Sequence, residues 1–258
     1  MKKESQILSS SQNSLNLLES FILNGKSFRY LDALEGNIDP DGKSDFEVET
    51  ITFIKNWLSG QERFQIKTSG STGNPKIINI TKEQIQKSAL RTIVTFNLKP
   101  GQAILACLNS TFIAGMMMLA RAIEGNLKLI IESSRANPFA HIEYGKSIHF
   151  CALTPYQAET ILEDTPAKLD QIKTILIGGT ALNTILEERF QNVKAKVFQS
   201  YAMTETLTHV ALRKVNGKEK SDIYHALQGV SFSQDTRKCL IIYDRILGIE
   251  RLITNDVV

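Results

Sequence analysis

The run Thr68-Ser69-Gly70-Ser71-Thr72-Gly73-Asn74-Pro75-Lys76 packs hydroxyls, two glycines and a lysine into nine residues. Glycines let backbone amides face an anion with no Cβ in the way, hydroxyls add donors, and Lys76 adds a charge. That chemistry suits a polyphosphate. The GxxxxGK[ST] pattern does not fit, because Pro75 stands at the required glycine and Ile77 at the required hydroxyl. The same residue types also make ordinary turns, so a plain surface loop is the alternative. Farther along, Gly178-Gly179 follow an apolar run, and Gln199-Ser200-Tyr201-Ala202-Met203-Thr204-Glu205-Thr206 places a carboxylate just beyond another. Ligands of parallel sheets sit beyond the carboxyl ends of strands. Arg121 interrupts the most apolar stretch of the chain, Phe112 to Ala120.

The elements that must position these groups alternate. Strands are expected at Ala103–Leu108, Leu127–Ile131, Ile148–Leu153, Ile172–Ile177 and Ala195–Phe198, with helices at Phe112–Glu124, Tyr156–Leu162 and Leu182–Phe190. The Gly-rich loop leads through Ile77–Ile80 into a helix whose start is marked by Thr81 and Gln84, a capping box. An earlier helix is expected within Phe46–Leu58. Short apolar strands alternating with helices predict an α/β fold, mostly parallel sheets with flanking helices. After Tyr201 the rhythm changes to strands at Leu207–Val215, Cys239–Tyr243 and Arg251–Val258, separated by polar turns. The expected division is an α/β core over 1–206 and a small β-rich subdomain over 207–258.

Composition sets bounds on function. The chain has 258 residues, with 30 Lys and Arg against 27 Asp and Glu, a formal net charge of +3. Spread along the chain, that is too weak for a nucleic-acid-binding face. Cys107, Cys151 and Cys239 form no CxxC pair and lie beside apolar residues, which predicts buried reduced thiols and a cytoplasmic setting. His141, His149 and His225 have no metal-ligand spacing. The N-terminus lacks a signal-peptide core, and Phe112–Ala120 is far short of the ~20 residues that span a bilayer. The sequence predicts a soluble protein.

Three segments carry a resemblance in order along the chain. TSGSTGNPK at 68–76 resembles the phosphate loop of the adenylate-forming superfamily of acyl-CoA ligases, luciferases and adenylation domains. Gln199–Thr206 is similar to its YGxTE segment, and Thr254-Asn255-Asp256 to its TGD segment. Within the superfamily, Phe112–Arg121, Ile177–Thr180, Thr206–Arg213 and Thr254–Val258 resemble the o-succinylbenzoate–CoA ligases of menaquinone synthesis. The resemblance implies ATP, Mg²⁺ and coenzyme A as cofactor and co-substrates, and a small carboxylic acid as partner, with oligomeric state left open. It implies that Thr68, Ser69, Gly70, Ser71, Thr72, Gly73, Gly178, Gly179, Tyr201 and Asp256 meet the nucleotide. Lys76, Thr204 and Glu205 would serve catalysis, with Glu205 the metal ligand. Phe112, Gly115, Arg121 and Ala202 would meet the acid.

Each residue has a plainer reading beside this one. Lys76 is equally a surface lysine, Tyr201 a core aromatic, and Glu205 a solvated turn acid. Gly178-Gly179 is equally a tight turn, and Arg121 an arginine reaching from a helix end to water. Two departures stand out: Ala202 replaces the family glycine, and Ile77 follows the lysine where glycine is frequent. The superfamily's C-terminal lid domain, with its lysine, is expected to be absent from this polypeptide. The competing functional readings are a ligase for another aryl or fatty acid, and a non-catalytic nucleotide-binding module.

Overall fold

The computed structural model describes residues 19–67, 77–140, 142 and 147–258. Its centre is a nine-stranded sheet. Four strands are apolar runs buried along their length: β5 (Ala103–Ala106), β7 (Phe150–Leu153), β6 (Lys128–Ile131) after its first residue, and β8 (Thr174–Ile177) likewise. Such runs need cover on both faces, and all four pair parallel with neighbours. Side chains alternate between the faces. Ile104 and Ala106 point into a core with Phe53, Trp57, Ile85 and Met117, while Leu105 and Cys107 point into one with Ala158, Ile161, Leu186 and Phe190. All three cysteines are free and buried.

The first core is covered by α2 (Asp45–Leu58), α3 (Lys82–Thr95) and α4 (Ile113–Glu124), the second by α5 (Pro155–Asp164) and α6 (Thr184–Phe190); a short α1 (Tyr30–Glu35) precedes them. The capping box at Thr81 is formed: Gln84 N donates to Thr81 Oγ1 at 3.2 Å and Thr81 N to Gln84 Oε1 at 3.0 Å. Two more boxes, Ser44 with Glu47 and Thr154 with Gln157, start α2 and α5. The hairpin of β3 (Arg63–Lys67) and β4 (Ile77–Thr81) pairs Lys67 with Ile77, so the Gly-rich segment is the connection between these strands.

At one end of the sheet a hairpin of β1 (Ser20–Leu23) and β2 (Lys26–Arg29) docks β1 parallel to β6. At the other end β9 (Lys196–Ala202) runs past the expected limit at Phe198. The chain then turns back so that β10 (His209–Lys214) pairs antiparallel with it, and β11 (His225–Ala226) follows. The segment 207–258, expected as a β-rich subdomain, is therefore divided. Its first two strands extend the large sheet, and β12 (Val230–Gln234), β13 (Cys239–Asp244) and β14 (Ile249–Val257) form a separate antiparallel sheet. Among the described residues no helix is long and apolar enough to cross a membrane.

Candidate functional site

The carboxyl ends of β8 and β9 lie side by side and bring the predicted loops together. Gly178 follows β8, where an added Cβ would stand 2.9 Å from Ser200 Oγ. Ser200 Oγ donates to Ile177 O at 3.1 Å, so the close approach locks the two strand ends. Gly179 has φ +102°, a conformation side chains resist. The tight-turn account of these glycines thus has a geometric basis in this close approach and positive φ.

Tyr201, next to last in β9, has its ring edge-on to Tyr224, centroids 6.2 Å apart. Its hydroxyl donates to Asp256 Oδ2 on β14. Burial first, and the Asp256 carboxylate second, push the phenol's pKa upward. Asp256 is held by its own turn, its amide donating to Thr254 Oγ1 at 3.1 Å. Two residues predicted to meet one nucleotide are thus in direct contact across two sheets.

Thr204 and Glu205 sit on a single 3₁₀ turn, Thr204–Thr206, between β9 and β10. Thr206 Oγ1 donates within this turn, to Met203 O at 2.9 Å or Thr208 O at 2.8 Å. Leu207 closes the turn at φ +65°, with Thr208 N donating to Thr206 O at 2.7 Å. That is a three-residue γ-turn in a conformation a leucine adopts only under constraint. Glu205 is exposed, its carboxylate open to a cation. Among the described residues no cluster of three or more His, Cys, Asp or Glu could hold a metal on its own. One carboxylate plus phosphate oxygens is how Mg²⁺ is commonly bound.

The acid-side residues separate. Phe112, at the N-cap of α4, is 40% exposed. Gly115 is fixed by packing: a Cβ there would lie 2.2 Å from Asn109 O. Ala202 is exposed and faces His209 in register. Arg121 does not reach water. It is 3% exposed, its Nη1 faces Met118 Sδ at 3.4 Å, and its Nε has no partner. Burial alone pushes its pKa down, to about 9. Among the described residues no carboxylate forms an ion pair with it. The reading of Arg121 as an arginine extended to solvent is therefore excluded. Thr68, Ser69, Gly70, Ser71, Thr72, Gly73 and Lys76 lie outside the described residues.

Sequence reasoning passed over a polar cluster on the buried face of α3. Ser88, Arg91 and Thr92 recur there at helical spacing, and that stripe was the available signal. Ser88 Oγ and Thr208 Oγ1 are 2.6 Å apart. Arg91 Nη1 donates to Asp244 Oδ2 at 2.6 Å, both side chains at most 1% exposed. His209, the first residue of β10, is buried with Nε2 3.4 Å from Thr92 Oγ1.

A mostly parallel sheet with a Gly-Gly turn and a Tyr-Thr-Glu turn at its carboxyl ends, in a chain that also carries a Gly-rich segment between two paired strands, fits a class of nucleotide-using enzymes. The family model of the AMP-binding enzymes matches residues 63–232, and the chain belongs to that family of adenylate-forming ligases. It is similar to the structure of an acyl-CoA synthetase (AMP-forming)/AMP-acid ligase II-like protein from Dyadobacter fermentans, at 35% identity and a TM-score of 0.79, covering 86% of this chain and 63% of that one. It is 33% identical over 166 residues to a D-alanine–D-alanyl carrier protein ligase of Bacillus mycoides, covering 59% of this chain and 32% of that protein. It is 25% identical over 176 residues to a 2-succinylbenzoate–CoA ligase of Bacillus cereus, covering 63% and 36%. The chain spans about a third of the length of these curated relatives.

Proposed function

We propose that this chain supplies the nucleotide- and acid-binding part of an ATP-dependent acid–CoA ligase of the cytoplasm whose acid is 2-succinylbenzoate. In this reaction a carboxylate attacks the α-phosphate of ATP, pyrophosphate leaves, and the acyl-adenylate then passes its acyl group to the thiol of coenzyme A. The protein's part is to neutralise phosphate charge and hold the nucleophile in line. Ser69–Gly73 and Lys76 would take the polyphosphate and Thr204 a phosphate oxygen. Tyr201 would take the adenine, Asp256 the ribose hydroxyls, and Gly178-Gly179 the backbone approach. Mg²⁺, when bound at Glu205, would supply positive charge to the phosphates.

The observation that carries the choice of acid is Arg121, buried with no carboxylate paired to it among the described residues. An unpaired buried ion is costly, and a bidentate guanidinium–carboxylate pair offsets that cost. 2-Succinylbenzoate has a carboxylate to be activated and a second, on the ring, to be buried. D-Alanine, the acid in the name of a relative with the higher identity (33% against 25%), would instead bring an ammonium toward Arg121 and Arg91. The test is a binding comparison between 2-succinylbenzoate and 4-oxo-4-phenylbutanoate, which lacks the ring carboxylate. The natural chain should prefer the diacid by roughly the 10- to 100-fold of a charge-assisted hydrogen bond, and Arg121→Leu should abolish the preference. Equal affinity for both acids in the natural chain would remove this substrate from consideration.

A further inference from the structure

His209 and Arg121 are both buried, and the Arg121 charge is felt at His209. Its Nε2 is 3.4 Å from Thr92 Oγ1, and Thr92 Oγ1 donates to Ser88 O at 3.1 Å. The threonine proton is thus committed to a carbonyl, so the contact with His209 requires Nε2–H as donor. Nδ1 is left as the nitrogen able to take up a proton. The charged groups facing His209 are Arg121 from α4 and Arg91 from α3, and Arg91 is already paired with Asp244 of β13. Burial, then Arg121, then Arg91 hold the imidazole well below its ordinary pKa, so it is neutral in the free protein.

We propose that His209 is the proton-linked half of the acid subsite: a carboxylate arriving at Arg121 draws one proton from solvent onto His209 Nδ1, so the acid binds with proton uptake. This rests on the reading of Arg121 as the anchor for the ring carboxylate. The step balances simply. Buffer gives the proton, imidazole becomes imidazolium, and no bond of the acid changes. The physical cause is the change of neighbour. Without an anion, two guanidinium groups repel a third cation. With the Arg121 charge neutralised by the carboxylate, that repulsion falls and the imidazolium is no longer disfavoured by it. Among the described residues the hydrogen-bond partner of Arg121 is the Met118 thioether, and Met118 is a flexible side chain that can give way.

The experiment is calorimetric titration of 2-succinylbenzoate into the 258-residue chain at about pH 6.5, in MES and in bis-Tris, buffers of different ionisation enthalpy. Proton uptake appears as different heats in the two buffers. It is accompanied by affinity that rises as pH falls from about 8 to about 6, by at most tenfold per unit. His209→Gln and His209→Asn should bind the diacid with equal heats in both buffers and a flat pH profile. The monoacid 4-oxo-4-phenylbutanoate should bind the natural chain without uptake. Equal heats in both buffers for the natural chain, with the diacid preferred and Arg121→Leu losing that preference, overturns the role of His209 and leaves the anchor standing. Uptake unchanged in both histidine variants does the same. Equal affinity for diacid and monoacid overturns the anchor, and the proposal with it.

Discussion

The Tyr201 hydroxyl donates to the Asp256 carboxylate although 55 residues separate them, and the contact ties the end of β9 to β14. Both residues are proposed to meet the same nucleotide, one through its ring and one through its carboxylate. In the free protein the phenol already occupies Asp256 Oδ2, so ribose hydroxyls reaching that carboxylate compete with it for acceptor sites. Tyr201→Phe keeps the ring and removes the competitor, so AMP should bind roughly two- to tenfold more tightly, the scale of one net hydrogen bond. Asp256→Asn should weaken binding and lower the Tyr201 titration midpoint, since the carboxylate is one cause of its elevation. Calorimetry with AMP and the ultraviolet titration of tyrosinate check both. Weaker AMP binding by Tyr201→Phe would show that the hydroxyl serves the nucleotide directly.

The buried Arg91–Asp244 pair joins α3 to the three-stranded sheet. Asp244 also accepts from the amides of Ile246 at 3.1 Å and Leu247 at 3.2 Å, so its charge is well satisfied. Removing one partner leaves the other as an uncompensated buried ion. Asp244→Ala should cost about 3–5 kcal/mol in urea unfolding. Arg91→Met with Asp244→Leu should recover much of that loss. A double variant as unstable as the single would mean that the pair's hydrogen bonds, rather than the stranded charge, govern the site.

Much of this architecture was legible because it rests on local patterns. Apolar runs such as Ile104–Ala106 and Ile175–Ile177 mark strands covered on both faces, and Thr81 with Gln84 marks a helix start. The hairpin at Asn24-Gly25 also carried its signal, since both residues adopt positive φ there (46° and 79°) and Asn-Gly favours such turns. Its parallel docking on β6 was not legible, because pairing across a hundred residues leaves no local trace. The same holds for the site. Glycines and hydroxyls announce a phosphate loop, but Asp244 reads as a turn acid until the fold sets it beside Arg91, 153 residues away. Arg121 was visible as an interruption of an apolar helix; that no described carboxylate pairs with it is a property of packing.

Stability should fall in mild acid. His209 is buried neutral, its pKa lowered in the folded state below the ordinary 6.5. Below that value the unfolded chain binds a proton that the folded chain excludes, so unfolding gains proton uptake and stability declines as pH drops from about 6.5. His149 shifts in the same direction, from burial and then Lys173, but it is more exposed and adds less. Glu47 and Asp235, with lowered pKa values, contribute the same sign only at lower pH, through the carboxylate range. The melting temperature of the natural chain should therefore drop between about pH 6.5 and 5, and that of His209→Gln should drop less. Parallel profiles for the two proteins would place the acid sensitivity elsewhere.

The contact between Gly178 and Ser200 gives a test of how the strand ends are held. A methyl group on Gly178 would stand 2.9 Å from Ser200 Oγ, closer than side-chain carbons approach such an atom, so Gly178→Ala must move the serine. Ser200 Oγ then loses its bond to Ile177 O, a net loss of about 1 kcal/mol, with a similar contribution from residual crowding. Ser200→Ala alone loses the hydrogen bond but opens space for the methyl. In the double variant the crowding term disappears while the hydrogen bond has already been lost. The two substitutions should therefore be less than additive by about 2 kcal/mol in a double-mutant cycle read by urea unfolding, because the hydrogen bond is lost once rather than twice and the crowding disappears. Tyr201 follows Ser200 directly, so Gly178→Ala alone should also weaken AMP binding, and Ser200→Ala should restore part of it. Strict additivity in stability would mean that β8 and β9 give way independently, and that the Gly-Gly turn is held by something other than this contact.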